Sequence, residues 1–223
     1  DTGFQDGVPA GYYLVADGGV FAFGSAVFYG STGGMKLNSP IVGLVVSPFE
    51  DGYWLVAADG GVFAFGNVPY LGSMGGRPLN SPVVGMTFYG QGTGFGYYLA
   101  AADGGVFAFG APFFGSAAST RLGAPVVGIV DAAGGGNPGY YLVASDGGVF
   151  AFGMASFVGS AGAIPLNAPV VGMEDQAIAS GCQPMTGGVV RHDVCTVSYG
   201  YRLVAADGGV FDYGNGVYFG SAS

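Results

Sequence analysis

The chain has 223 residues, 14 acidic against 5 basic, and its net charge of −9 opposes phosphate backbones and anionic headgroups, which leaves nucleic acid out as a partner. Half of its residues are hydrophobic, only 9% are charged and 47 are glycine, a balance that requires strands covered on both faces or a surface that meets a partner. The least charged stretch, Pro78 to Ala102, is broken by Pro82, Gly85, Gly90, Gly92, Gly94 and Gly96, so no membrane-spanning helix is expected.

The chain opens at Asp1 without an initiator Met or a signal peptide, which reads as a processed mature chain or an excised fragment. From Gly11 it runs Gly-Tyr-Tyr-Leu-Val-Ala-Asp-Gly-Gly-Val-Phe-Ala-Phe-Gly, and variants of this phrase begin at Gly52, Gly96, Gly139 and Gly200. The marker residues Asp17, Asp59, Asp103, Asp146 and Asp207 stand 42, 44, 43 and 61 residues apart, a period that belongs to toroidal and solenoid arrays.

Within each copy, two β-prone runs flank Asp-Gly, the signal of a hairpin with a primed two-residue turn. A third run follows (Val27 to Tyr29, Pro69 to Leu71, Phe113 to Phe114, Phe157 to Val158, Val217 to Phe219) and leads into Gly-Ser. A Gly-rich link then reaches a Pro and a fourth run, Ile41 to Leu44, Val83 to Met86, Val126 to Ile129 and Val170 to Met173. In Val62-Phe63-Ala64-Phe65, alternation places Phe63 and Phe65 on one face and Val62 and Ala64 on the other. Neither face is polar, as a sheet stacked between two others requires.

The fold expected is all-β: a five-bladed β-propeller of about 42-residue, four-stranded repeats. A single domain spans 1–223, with blades at about 1–31, 41–73, 83–116, 126–160 and 170–221. Thr2-Gly3-Phe4 is the candidate for the first blade's missing strand; without it, that blade exposes an unpaired edge. A parallel β-helix fits repeated Asp-Gly hairpins poorly, and a trefoil needs three units.

An insertion at about 174–199 breaks the period and holds both cysteines, Cys182 and Cys195. A disulfide closing a 14-residue loop in an oxidising compartment is expected. His192, between Arg191 and Asp193, is the lone histidine; with the two cysteines it matches zinc spacing only weakly, and a Cys-His nucleophile is disfavoured by the disulfide. The five turn aspartates lie on separate repeats, so they cannot supply the six converging oxygens of a calcium site. With neither a nucleophile elbow nor a phosphate loop, the chain reads as no enzyme, with no metal and no cofactor.

The phrase beginning at Gly52 and the run Leu79-Asn80-Ser81-Pro82-Val83-Val84-Gly85-Met86 resemble repeats of secreted, cell-surface actinobacterial proteins, where they are often appended to cell-wall or peptidase-like catalytic domains. The resemblance covers nearly the whole chain apart from about 174–199 and implies an extracellular accessory or structural module, with no catalytic residues to carry over. In blade number alone the chain is also similar to tachylectin-type lectins.

Two functions are expected from these features. The first is a noncatalytic module binding a carbohydrate or cell-envelope polymer, with Asn38, Asn80, Asn167 and Trp54 as ligand-binding candidates between blades. An acidic rim that holds Glu50, Asp51, Asp131, Glu174 and Asp175, with Asp1, Asp6 and Asp193, would either maintain solubility or select a cationic or polyhydroxylated partner. The second is a structural protein that assembles with copies of itself at the cell surface, through strand or edge complementation at the first blade.

Overall fold

The computed structural model describes residues 11–91, 94–132, 138–184, 193–214 and 220–221. Fourteen strands and no helix are found among them. The strands form one two-stranded and four three-stranded antiparallel sheets, each built from one copy of the repeat. By internal contacts the chain divides into two units, Asp1–Val83 and Val84–Ser223.

In the first unit, β1 (Tyr12–Ala16) and β2 (Gly19–Phe23) form the two-stranded sheet, while β3 (Ile41–Val46), β4 (Gly52–Ala57) and β5 (Val62–Gly66) form the second, with β4 central. The other three sheets follow the same plan. They comprise β6 (Val83–Gln91), β7 (Gly94–Ala101) and β8 (Val106–Phe109); β9 (Val126–Asp131), β10 (Gly139–Ala144) and β11 (Val149–Gly153); and β12 (Val170–Pro184), β13 (Asp193–Ala205) and β14 (Val210–Gly214).

Every residue of the central strands β4 and β10 is buried, because side chains alternate between two covered faces. The register pairs Tyr53 with Phe65 and Leu55 with Phe63 on one face, here called the front, and Trp54 with Ala64 and Val56 with Val62 on the back. Within each unit, a covered front meets the back of the preceding repeat. In the first unit, Tyr53, Leu55, Phe63 and Phe65 pack against Tyr13, Val15, Val20 and Tyr29. In the second, Tyr140 and Leu142 pack with Tyr98, Ala100 and Val106, and Tyr201 and Leu203 pack with Tyr141, Val143 and Val149. At each of these junctions a front tyrosine ring meets a tyrosine ring of the preceding back, Tyr53 on Tyr13, Tyr140 on Tyr98 and Tyr201 on Tyr141, with smaller side chains packed beside them.

The hairpin turns come in two forms, where the sequence led us to expect one. Repeat one has Ala16-Asp17-Gly18-Gly19, with Asp17 at φ 50° and Gly18 at φ 75°, the primed two-residue turn. The other repeats insert one residue, Ala58, Ala102, Ser145 or Ala206, before the Asp. In the second repeat Gly60 N–H then donates to Ala57 C=O at 2.8 Å and Ala57 N–H to Gly61 C=O at 2.8 Å, a three-residue loop with only its glycine at positive φ. The inserted residue also links neighbours: Val126 N–H donates to Ala102 C=O and Val170 N–H to Ser145 C=O, at 2.9 and 2.8 Å.

The expected fourth strand per repeat is not part of these ladders. Residues 27–29, 69–71, 113–114 and 157–158 run outside the sheets, despite their β-prone composition. Their hydrogen bonds go elsewhere: Tyr13, Tyr98 and Tyr141 hydroxyls and the Trp54 indole N–H donate to the carbonyls of Val27, Pro112, Ser156 and Pro69. The chain just beyond each run is tied to the Asp-Gly turn, with Thr32, Met74, Ala117 and Ala161 N–H donating to the carbonyls of Gly18, Gly60, Gly104 and Gly147, each at 2.9 Å. The proposed first-blade strand, Thr2 to Phe4, lies outside the described residues.

The insertion differs from the expected decorating loop. Strands β12 and β13 continue through most of it as an antiparallel ribbon, paired from Val170 opposite Ala205 to Pro184 opposite Asp193. The register shifts between Ser180 and Gln183, the stretch that contains Cys182 on one strand and faces Cys195 on the other. The side chains of both cysteines, and all of Arg191 and His192, lie outside the described residues.

Candidate functional site

Trp54 does not present a binding surface. It is 2% exposed, and its indole N–H is bound to Pro69 C=O at 2.9 Å, so the aromatic best suited to stack on a sugar is used inside its own repeat. Asn38, Asn80 and Asn167 are exposed. Asn167 borders a groove of about 360 Å³ in the second unit, together with Ser145, Asp146, Ile164 and Leu166; none of its lining residues is aromatic.

The acidic residues have unlike environments. Glu50 and Glu174 are exposed. Asp51 is a local brace: its carboxylate accepts from Ser47 Oγ at 2.7 Å and Asn67 Nδ2 at 3.3 Å. Asp131 ends β9, where burial, reinforced by the nearby Asp175 carboxylate, pushes its pKa up to about 7. The turn aspartates are accounted for by turn chemistry: Asp59, Asp103, Asp146 and Asp207 each accept the N–H of the glycine two residues on, at 2.9–3.0 Å. Among the described residues, no group of three or more His, Cys, Asp or Glu could hold a metal ion, and no helix is long and apolar enough to cross a membrane.

The structure brings together a different set of residues, centred on the first tyrosine of the Gly-Tyr pair in repeats two, four and five. Tyr53 hydroxyl donates to Gly30 C=O at 2.5 Å and accepts from Tyr29 N–H at 3.2 Å. In the second unit, Tyr140 hydroxyl donates to Gly115 C=O at 2.5 Å, and Tyr201 hydroxyl donates to Gly159 C=O while accepting from Val158 N–H. One phenol thus clasps the third run of the preceding repeat through both a donor and an acceptor. Burial raises the pKa of Tyr53, Tyr140 and Tyr201, which keeps the donating proton in place.

A ring completes each clasp. Gly30, Gly115 and Gly159 have φ between 131° and 141°, and a Cβ on them would stand 2.6, 2.8 and 2.4 Å from Phe65, Phe152 and Tyr213. Glycine is needed for the backbone angle and again for the ring that lies against it. The recurring Gly-Ser after each third run was visible in the sequence, and so was the repeated Gly-Tyr; what joins them is contact between repeats, which a single repeat does not encode.

Repeat one has the same front residues, and no described residue is shown packed on them. Tyr12, Leu14, Phe21 and Phe23 are exposed, and the Tyr12 and Phe23 rings stack at 17°, whereas the covered pairs Tyr53–Phe65, Tyr140–Phe152 and Tyr201–Tyr213 are tilted by 44°, 40° and 43°. A cavity of about 320 Å³ lies beside this edge, lined by Tyr12, Tyr13, Val27, Leu44, Val46 and Glu50 among others. A second feature that sequence reasoning missed is an exposed ring in each of the four described third runs: Phe28, Tyr70, Phe113 and Phe157. Comparison with protein families, curated proteins and solved structures gives no match for the chain.

Proposed function

We propose that this chain is a noncatalytic structural protein that assembles with copies of itself outside the cell, at the cell surface. The observation that carries this reading is the uncovered front of repeat one. Leu14 is 54% exposed, whereas its counterparts Leu55, Leu142 and Leu203 are wholly buried. Four large side chains on one sheet face form an apolar patch on the order of a few hundred Å², comparable to the largest patch of a typical monomer, which is often functional. The exposed rings of the third runs add apolar surface that a partner can cover.

The five-bladed propeller reading uses the same front, covering it with the fifth repeat of the same chain. Assembly covers it with another copy, and the oligomeric state in solution distinguishes the two. Binding of a carbohydrate or envelope polymer is less well supported, because Trp54 is buried and the groove at Asn167 offers no ring to stack on.

Sedimentation and electron microscopy of the purified chain over a wide concentration range test the proposal. Particle mass is expected to grow with concentration and end in elongated polymers. A species that remains a monomer at the highest concentration removes the reading.

A further inference from the structure

We infer that a groove in the second unit, between the Asp-Gly turn of repeat four and the link that leaves that repeat, binds the ammonium group of a lysine side chain carried by a partner peptide. The residues that form it all belong to one unit, and the site stands or falls separately from the self-assembly reading.

Two departures from the repeat meet at this place. The links after repeats one, two and four carry Asn38, Asn80 and Asn167, whereas the link after repeat three carries Gly123. The residue before the turn aspartate is Ala58, Ala102 or Ala206 in repeats two, three and five, and Ser145 in repeat four. The two positions are far apart in sequence, yet both fall beside one carboxylate. Ser145 precedes Asp146, and a Cβ on Gly123 would stand 2.9 Å from Asp146 Oδ2. Gly123 is not among the glycines at positive φ, so the backbone there does not require glycine. The effect of the missing side chain is to leave Asp146 Oδ2 uncovered.

The groove, about 360 Å³, has apolar walls at Ile164, Leu166 and Pro169 and polar groups at Ser145, Asp146 and Asn167, and none of its lining residues is basic. Asp146 Oδ1 accepts Gly148 N–H at 2.9 Å, while Oδ2, Ser145 Oγ and the Asn167 amide make no hydrogen bond to a described residue. Three acceptor oxygens, one of them charged, match the three N–H groups of an ammonium, and the apolar walls suit the methylene stem of lysine. Arginine fits less well, because its planar fork engages both oxygens of a carboxylate and the turn already holds Oδ1. An amino sugar finds no ring to stack on. A calcium ion needs roughly six or more converging oxygens, more than one carboxylate and two neutral groups supply. The net charge of −9 draws cationic partners towards the chain.

The test passes a capped pentapeptide, with one central lysine among glycine and alanine, over the chain tethered at low density so that copies do not meet, and reads binding by surface plasmon resonance. Saturable binding is expected, with the arginine and Nε-acetyl-lysine versions of the peptide and free glucosamine weaker by about tenfold or more. Asp146→Asn keeps an oxygen for Gly148 N–H and removes the charge, and is expected to weaken the lysine peptide about 10-fold to 100-fold. Gly123→Asn restores the residue of the other links and is expected to weaken it about tenfold by crowding Oδ2, and Ser145→Ala about threefold. Circular dichroism checks that each variant folds. Unchanged binding in both Asp146→Asn and Gly123→Asn, or no saturable binding to the wild-type chain, overturns the site. Equal binding of the arginine peptide or of glucosamine overturns the assignment to lysine.

Discussion

Repeats one and four carry nearly the same front. Gly11-Tyr12-Tyr13-Leu14-Val15-Ala16 matches Gly139-Tyr140-Tyr141-Leu142-Val143-Ala144 residue for residue, yet Tyr12 is 56% exposed and Tyr140 is wholly buried. The difference lies in what precedes each: Tyr98, Ala100 and Val106 cover the front of repeat four, while no described residue covers the front of repeat one. Local sequence thus determines the strand and its two faces, and the neighbouring repeat determines whether a face contributes to stability. Fully burying one leucine contributes roughly 2 kcal/mol, so the same letters carry very different weight at the two positions.

The largest effect should come from truncating that leucine in both places. Leu142→Ala is expected to cost about 2–5 kcal/mol by urea unfolding, since it opens a cavity between packed rings. Leu14→Ala in the monomer should stay within about 0.5 kcal/mol. Equal losses at the two sites would mean that the front of repeat one is covered in solution. The glycines extend the comparison to the opposite end. A Cβ at Gly159 would stand 2.4 Å from the Tyr213 ring as well as at φ 141°, so Gly159→Ala should cost about 2–4 kcal/mol in the same measurement. Gly220→Ala meets no described atom and should cost only the backbone term, about 1 kcal/mol.

Much of this arrangement could be read in the sequence, though not its joints. Alternation in Val-Phe-Ala-Phe gave the two apolar faces, and the Asp-Gly pairs located the hairpins. The extra residue at Ala58, Ala102, Ser145 and Ala206 was also visible, but its consequence is geometric: one more residue changes a primed turn into a three-residue loop and frees a carbonyl for the next repeat. The third runs look like strands because Val, Phe and Tyr favour strands, a preference that depends on available ladder partners. Here Tyr13, Trp54, Tyr98 and Tyr141 take the carbonyls instead. Trp54 is likewise ambiguous in the sequence, since a lone tryptophan in a repeat gives no sign that its N–H is directed to Pro69 C=O. The insertion was read as a loop because its period failed, while the run from Glu174 to Ser180 simply prolongs β12.

A smaller effect distinguishes the two units by pH. The position opposite the front tyrosine is Val46 in the second repeat and Asp131 in the fourth. Burial first, and Asp175 second, raise the Asp131 pKa from 3.8 to about 7, so the folded state keeps this proton to a higher pH than the unfolded chain does. The stabilisation is complete below about pH 4, declines as pH rises towards 7, and is flat above. The groups facing it are Asp175 and Tyr98, with its own N–H on Thr87 Oγ1 at 3.1 Å. Asp131→Asn should abolish the decline in urea midpoints between pH 4 and 7. A slope that persists unchanged in that variant would place its origin elsewhere.

The finest test of the comparison between repeats one and four involves one oxygen atom. Tyr140→Phe removes the hydroxyl that binds Gly115 C=O at 2.5 Å and leaves that carbonyl without this donor at a packed junction, so a loss of about 1–2 kcal/mol is expected. Tyr12→Phe deletes the same atom from an exposed ring and should leave the unfolding midpoint of the monomer unchanged. A Tyr12→Phe chain that loses stability even when dilute would show that its hydroxyl is already engaged within one molecule, and the unequal exposure of the two fronts would then not describe the protein in solution.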